Sequence, residues 1–187
     1  MISKATSKRY VDGLSSILKI RGYKVLEVQE DEEGIAIIAK NVDEKDAEER
    51  VLAYIPYKEV VGVKIIRDLV EKIEEEKFTK AIVSTRGKFT PYAKKEAVAN
   101  NIDILSGAFP LFEVFAHHLV PLHEIAAIEE TDALRKKYGI TLYQLPKISQ
   151  NDPVVRTLGA HVGDVLRVTR ESLTTRNPLV YRIVSED

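Results

Sequence analysis

Between Gln144 and Arg182 the chain is punctuated so densely that few backbone shapes remain open to it. The run reads Gln144-Leu145-Pro146-Lys147-Ile148, then Asp152-Pro153-Val154-Val155-Arg156, Gly159, Gly163-Asp164 and finally Tyr181-Arg182. Each proline fixes its own φ and drives the preceding residue out of the helical region, so Leu145 and Asp152 are expected to be extended. Asp152 then reads as an N-cap, with Pro153 at the first helical position. Gly159 is placed to end that short helix, and Gly163 to turn the chain into a strand. The segment holds no nucleophile with a base and no set of metal ligands. A stretch so fixed in shape and so poor in chemistry is expected to dock against something.

The 187 residues suffice for one domain or two small ones. No cysteine is present, which removes disulfide and thiolate chemistry and points to an intracellular home. No apolar run approaches a membrane span, and Met1-Ile2-Ser3-Lys4-Ala5 lacks the apolar core of a signal peptide. The net charge of −1 argues against a free-standing nucleic-acid binder with a broad basic face. Charge is nevertheless uneven. Acids dominate from Glu27 to Glu49, whereas Lys77, Lys80, Arg86, Lys88, Lys94 and Lys95 fall in a stretch without any acid. That stretch reads either as a surface for a phosphate backbone or as a solvated face whose acids lie elsewhere.

Periodicity predicts a first helix over 7–21, with Tyr10, Leu14, Ile17 and Leu18 on one stripe and Gly22 closing it. Three strands follow, over 23–28, 35–39 and 51–55, the first two joined by the acidic hairpin Glu30-Asp31-Glu32-Glu33-Gly34. A second helix is expected over 61–76, where Ile66, Leu69, Val70 and Ile73 recur at helical spacing. Lys80 to Ser84 reads as a buried strand, Thr90 as the cap of a helix with Pro91 at its first position, and Ile102 to Leu105 as another strand. Near Ala116 the pattern changes. His117-His118-Leu119-Val120-Pro121 is expected to be an extended connector, followed by a short helix over 131–138 that Gly139 ends. Strands over 164–170 and 179–184 are expected to pair through a turn at Thr174-Thr175-Arg176-Asn177-Pro178. The fold class is therefore α+β (mixed α/β) in two domains, 1–116 and 117–187.

The order helix, three strands, helix, strand in the first half is that of the restriction-endonuclease-like core. A metal-dependent nuclease of that kind needs an acid near the second strand and Glu-x-Lys or Asp-x-Lys on the third, to hold a hard cation and steady the attacking water. The third strand, Val51-Leu52-Ala53-Tyr54-Ile55, carries no acid. The short pattern recurs only as Asp43-Glu44-Lys45, in a loop, and Glu75-Glu76-Lys77, at a helix end. The first domain thus reads as restriction-endonuclease-like without an active site. His117, His118 and His123 suggest a metal, but adjacent histidines on an extended chain point to opposite faces, no cysteine supports them, and packing or surface roles are favoured. No nucleophile elbow or phosphate-cradling glycine loop is present. Neither a cofactor nor a catalytic residue is expected.

The carboxyl-terminal motif resembles the fifth subunit of eukaryotic DNA-directed RNA polymerases and its archaeal counterpart. The likeness begins at His118-Leu119-Val120-Pro121 and His123, runs from Glu129 to Tyr138, and includes the Gln144 to Ile148 and Asp152 to Arg156 runs. Gly159, Gly163-Asp164-Val165, Arg170, Ser172, Thr174 and Tyr181-Arg182-Ile183-Val184 complete it. Upstream, Arg21-Gly22-Tyr23, Gly62-Val63-Lys64, Lys80-Ala81-Ile82-Val83 and Thr90-Pro91-Tyr92-Ala93-Lys94 resemble the eukaryotic jaw domain more weakly. The first half is shorter than that domain and lacks its tryptophan. Ser172-Leu173-Thr174-Thr175-Arg176 stands where the family has Ser-Pro-Thr-Ala-Gly, so a turn glycine is missing.

The resemblance implies a non-catalytic subunit, docked by its second domain on the largest polymerase subunit, with the jaw near downstream duplex DNA. Arg86, Lys88, Thr90, Pro91, Lys94 and Lys95 are then the expected DNA-proximal residues, binding weakly and only within the assembled enzyme. Pro146, Lys147, Asp152, Pro153, Arg156, Arg167, Arg170, Tyr181 and Arg182 are the expected docking residues, the arginines serving either acidic partners or intramolecular ion pairs. No membrane partner is expected. An archaeal-type source with cytoplasmic location is favoured, a nuclear location following if the source is eukaryotic.

Overall fold

The computed structural model describes residues 4–41, 49–85, 87–106, 114–117, 119–169 and 179–186. The chain forms two compact units, Met1–Phe112 and Glu113–Asp187. Asp43-Glu44-Lys45, Arg86, His118, Arg170 and the turn from Ser172 to Arg176 lie outside the described residues.

The first unit is a five-stranded sheet with helices on both faces. Helix α1 (Lys4–Ile20) leads into the hairpin β1 (Tyr23–Glu30) and β2 (Gly34–Asn41), then β3 (Arg50–Pro56). The hairpin tip is an Asx turn, in which the Asp31 side chain accepts from the backbone of Glu33 at 2.8 Å and of Gly34 at 2.7 Å. After β4 (Val60–Val61) come α2 (Val63–Glu75), β5 (Lys80–Ser84), β6 (Lys88–Phe89), α3 (Pro91–Ala99) and β7 (Ile102–Leu105). The sheet order is β1-β2-β3-β5-β7, antiparallel as far as β3 and parallel beyond it. Strand alternation divides β2 between two cores. Ile35, Ile37 and Ala39 meet Leu14, Ile17 and Leu18 of α1, whereas Ala36 and Ile38 meet Ile66 and Leu69 of α2 and Ala93 and Ala97 of α3. Covered on both faces, β3 is buried from Val51 to Pro56, hence its unbroken apolar run.

One feature of this unit departs from the sequence expectation. Val61 does not open α2. It is fully buried in β4, which pairs in parallel with β6 through Val60↔Lys88 and Val61↔Phe89. A two-residue strand whose partner lies far along the chain leaves no periodic signal. The pairing depends on Gly87. A Cβ there would stand 1.5 Å from the Glu59 carbonyl oxygen, so only a glycine lets the two backbones close.

The second unit is built on a four-stranded sheet of order β8-β10-β11-β9. It begins with a 3-10 turn, Val114–Ala116, and the expected extended connector is instead a turn in which the Val120 backbone donates to the His117 carbonyl at 2.8 Å. Pro121 restrains only the residue before it, leaving the earlier positions free to turn. Strand β8 (Leu122–Ile125) is followed by α4 (Ile128–Tyr138), which starts three residues before Thr131 because Ala127 takes the N-cap position and Glu129 and Glu130 occupy the dipole-favoured first turn. Next come a 3-10 turn (Leu142–Gln144), β9 (Lys147–Ser149), α5 (Pro153–Leu158), β10 (Val165–Thr169) and β11 (Leu179–Ser185). The punctuated motif behaves as its chemistry dictates. The Asp152 side chain accepts from Val154 N at 2.8 Å, Pro153 opens α5, and Gly159 leaves it at φ +71°. Val155 of α5 packs on Ile148, Leu166 and Val184, so each of β9, β10 and β11 contributes to this small core.

Replacing Gly87 with alanine should separate β4 from β6 and destabilise the first unit by about 1–3 kcal/mol, the range typical of enforced overpacking. Urea unfolding of the full chain reads the loss directly. A stability equal to that of the parent would mean the two loops part without cost.

Candidate nucleic-acid interface and docking module

A nuclease of the restriction-endonuclease type would place its acids on β2 and β3, and neither strand has one. Ala36 lies opposite Tyr54, and Gly34 opposite Pro56. Ala36 and Tyr54 are both buried within the core beneath α2 and α3. Burial pushes the Tyr54 hydroxyl up to about 12, with Asp31 and Glu33 adding to the shift, so it stays neutral at ordinary pH and cannot act as a base. Glu75, Glu76 and Lys77 sit where α2 ends, away from any paired strand position. Among the described residues no group of three or more metal-ligating side chains comes together. Local turns occupy the histidines: His117 Nδ1 accepts from Leu119 N at 3.2 Å, and buried His123 shares a 2.8 Å hydrogen bond with the Pro121 carbonyl.

The basic stretch is split by β5. At its start, Lys80 lies 2.7 Å from Glu49, a carboxylate that also accepts from Tyr23 at 3.1 Å and Asn41 at 3.0 Å. The hydrogen bond from Lys80 lowers Glu49 below its ordinary 4.5, and that same bond raises Lys80 above its ordinary 10.5. Lys80 is thereby held in an internal cluster. Past the other end of β5 stand Lys88, Lys94 and Lys95, all exposed, with exposed Pro91 and Tyr92 among them. Thr90 is the N-cap of α3, its side chain accepting from Ala93 N at 3.2 Å, and its own N–H donates to the Val61 carbonyl at 3.0 Å. Lys88 N likewise donates to the Glu59 carbonyl at 2.9 Å. The basic loop is therefore tied into rigid structure at both backbone donors. Helix α2 starts beside it, at Gly62, with no side-chain cap.

In the second unit Asp152 and Pro153 shape α5, while Pro146 accepts from Ile183 N at 2.9 Å as β9 begins. Gln144 closes a capping box, its Oε1 accepting from Thr141 N at 2.8 Å. Pro146 and Lys147 are exposed, and Arg156 and Arg182 half-buried. Arg167 is already engaged. It lies 2.9 Å from Glu124 and 3.4 Å from Glu130, and Tyr181 donates to Glu130 at 2.7 Å. Glu124, Arg167 and Tyr181 form one row across β8, β10 and β11, with Glu130 reaching them from α4. These carboxylates raise the Arg167 guanidinium above its ordinary value, Glu124 most strongly. No residue of α4 is fully buried, and Glu130 ties that helix to the sheet through this cluster. Sequence reasoning points to Arg167 and Tyr181 without their acids, because strand register is what joins them.

The first unit thus has no acid on β2 or β3, and the second is a small module with a polar cluster across its sheet. Residues 112–184 match the family described as RNA polymerase Rpb5, C-terminal domain, and residues 2–109 match the family described as restriction endonuclease. Subunit Rpo5 of the Thermococcus celer DNA-directed RNA polymerase is 49% identical over 76 residues, which are 41% of this chain and 93% of that relative. Subunit RPABC1 of RNA polymerases I, II and III from Caenorhabditis briggsae is 29% identical over 152 residues, 79% of this chain and 71% of that one. That match is longer than either unit and so spans both. The solved structure of EndoMS in its apo form aligns over 57% of this chain and 46% of its own at 15% identity, with a TM-score of 0.42, too low to support any argument. The chain belongs to the fifth-subunit family of archaeal and eukaryotic DNA-directed RNA polymerases, its amino-terminal unit being of the restriction-endonuclease family.

The cluster at Glu49 makes stability depend on pH with a defined sign. A carboxylate lowered by folding contributes stability above its ordinary value and loses it as pH falls through the folded value; raised Lys80 contributes below 10.5 and loses its share as pH rises past its folded value. Glu49→Gln should remove no more than about 1 kcal/mol at neutral pH, since Lys80 is mostly exposed and solvent screens the pair. It should also flatten the acid limb of the stability profile. A pH series of urea midpoints in which the variant keeps the parent's slope below 4.5 would contradict this.

Proposed function

We propose that the second unit docks the chain on the large polymerase subunits and that the first unit offers the loop from Lys88 to Lys95 to downstream duplex DNA. One observation carries the docking half. The Thermococcus relative, itself named a polymerase subunit, is matched over 93% of its length by 76 residues of this chain, about the length of the second unit, Glu113–Asp187. What makes that relative a polymerase subunit is thus contained in a module of this size, and the first unit is an addition to it. The location follows from the assembly: the chain works inside the cell wherever the polymerase transcribes, the cytoplasm if the source is archaeal.

The DNA half rests on chemistry. Lys88, Lys94 and Lys95 are exposed around a rigid helix start, within a stretch that contains no acid before Glu96. Glu96 in turn is held 3.0 Å from Arg67, which offsets its charge. Three or four lysines give sequence-independent phosphate contact of modest strength, useful where the rest of an assembled enzyme already holds the duplex. Docking draws on Pro146 and Lys147 at the edge strand β9, Arg182 of the adjoining β11 and Arg156 of α5, and a proline before an edge strand and a lysine on it also discourage edge-to-edge aggregation.

Tagged full-length chain expressed in its native host should co-purify the large polymerase subunits. Lys147→Glu should weaken that association about tenfold, equivalent to ~1.4 kcal/mol; undiminished recovery would move the docking face elsewhere. Reversing Lys94 and Lys95 to glutamate should leave assembly intact and lower the salt-sensitive retention of downstream duplex. Retention unchanged across a salt titration would remove the first unit from the DNA path.

A further inference from the structure

The surface that carries Lys88 and Thr90 does not end at its own loop. Strands β4 and β6 pair in parallel, with Val61 opposite Phe89, and each is followed at once by the N-cap of a helix, Gly62 for α2 and Thr90 for α3. The two helices therefore begin at one level. They continue side by side, as the Arg67–Glu96 ion pair between their second turns requires. Lys64 and Tyr92 occupy equivalent positions, each two residues past its N-cap, and both are exposed. Lys58 is exposed on the loop entering β4, directly before Glu59, whose carbonyl receives Lys88 N.

We infer that the face offered to the DNA backbone is double, comprising Lys58 and Lys64 at the start of α2 as well as Lys88, Lys94 and Lys95 at the start of α3. The inference rests on the reading of this unit as DNA-facing and extends it to a segment outside the acid-free stretch. Its basis is placement: the ribbon fixes two lysine-bearing helix starts in one register, so that successive phosphates of a single duplex can meet both. Glu59 is the one acid on the ribbon, and it is exposed. The acidic hairpin tip borders the loop on its other side, the Tyr57 backbone donating to the Glu33 carbonyl at 2.9 Å. That boundary confines the face to the α2–α3 side and gives Glu59 a defined sign, since it weakens phosphate binding by lying within the basic surface.

The test uses polymerase assembled with the full chain and a duplex of mixed sequence. Each lysine that meets a phosphate should contribute about 0.9 to the slope of log affinity against log salt, or roughly a three- to fourfold loss per contact between 50 and 200 mM salt. Lys58→Glu with Lys64→Glu should therefore lower retention at 50 mM salt and reduce the slope by about 2, so that between 50 and 200 mM the parent loses roughly tenfold more affinity than the variant. Glu59→Gln should raise retention, an effect that a purely structural loop would not give. A glutamate at position 64 is favoured by the helix dipole, so misfolding is not the expected cause of any loss. Retention lowered by reversing Lys94 and Lys95 but not by reversing Lys58 and Lys64 overturns the double face alone. If neither pair matters, the DNA reading falls with it. If reversing Lys58 and Lys64 instead reduces recovery of the large subunits, the surface serves a protein partner and the inference is wrong.

Discussion

Everything in the first unit hangs on the pairing of β3 with two neighbours of opposite sense, antiparallel β2 on one side and parallel β5 on the other. A strand in that position has helices over both faces and no solvent on either, so every side chain from Val51 to Pro56 must be one that the core accepts. A charged catalytic group there would need a partner or a metal to offset its desolvation. This chain has resolved the conflict in favour of packing. Ala36 and Tyr54 face each other across the β2–β3 ladder, both buried in the core beneath α2 and α3.

The second unit follows the opposite logic. Its buried cluster is small, Ile148, Val155, Leu166 and Val184, and no residue of its longest helix is fully buried. A row of polar side chains takes over part of the structural role: Glu124, Arg167 and Tyr181 across three strands, with Glu130 descending from α4. Such a cluster orients a helix without desolvating it fully, and its net contribution is modest because solvent reaches Arg167. A module of this kind gains from being held in an assembly, where a partner surface can cover what it leaves exposed.

Local chemistry makes much of this legible in the amino-acid sequence. The Asp152-Pro153 start of α5, its end at Gly159, the Thr90-Pro91 start of α3, the β1–β2 hairpin and the order of elements in the first unit each follow from residues within a few positions of one another. What stays hidden requires register between distant segments. The parallel ribbon of Val60-Val61 with Lys88-Phe89, the edge strands β8 and β9, and the acids that take up Arg167 are all of that kind. Short strands carry no period, and cross-strand ion pairs become visible only when pairing is known. The connector after Ala116 departs from expectation for a related reason. Pro121 constrains one residue, and the backbone of Val120 has a carbonyl available three positions earlier.

The candidate DNA face shows how these two kinds of information combine. Sequence supplies the charges, and the ribbon decides which of them act together. Lys77 and Lys80 belong to the same acid-free stretch as Lys94, yet β5 carries them to its far end, where Glu49 engages Lys80. Lys64 lies outside the stretch, yet the Val61↔Phe89 pairing brings its helix start level with that of Lys95. Gly87 makes this possible, because its missing side chain lets the backbone close on Glu59 and so joins the two loops. A phosphate backbone is read as a spaced row of charges, and a protein that meets it without sequence preference needs lysines fixed at a spacing more than it needs many of them. In a chain with a net charge of −1, two paired helix starts gather exposed lysines locally without an overall basic composition.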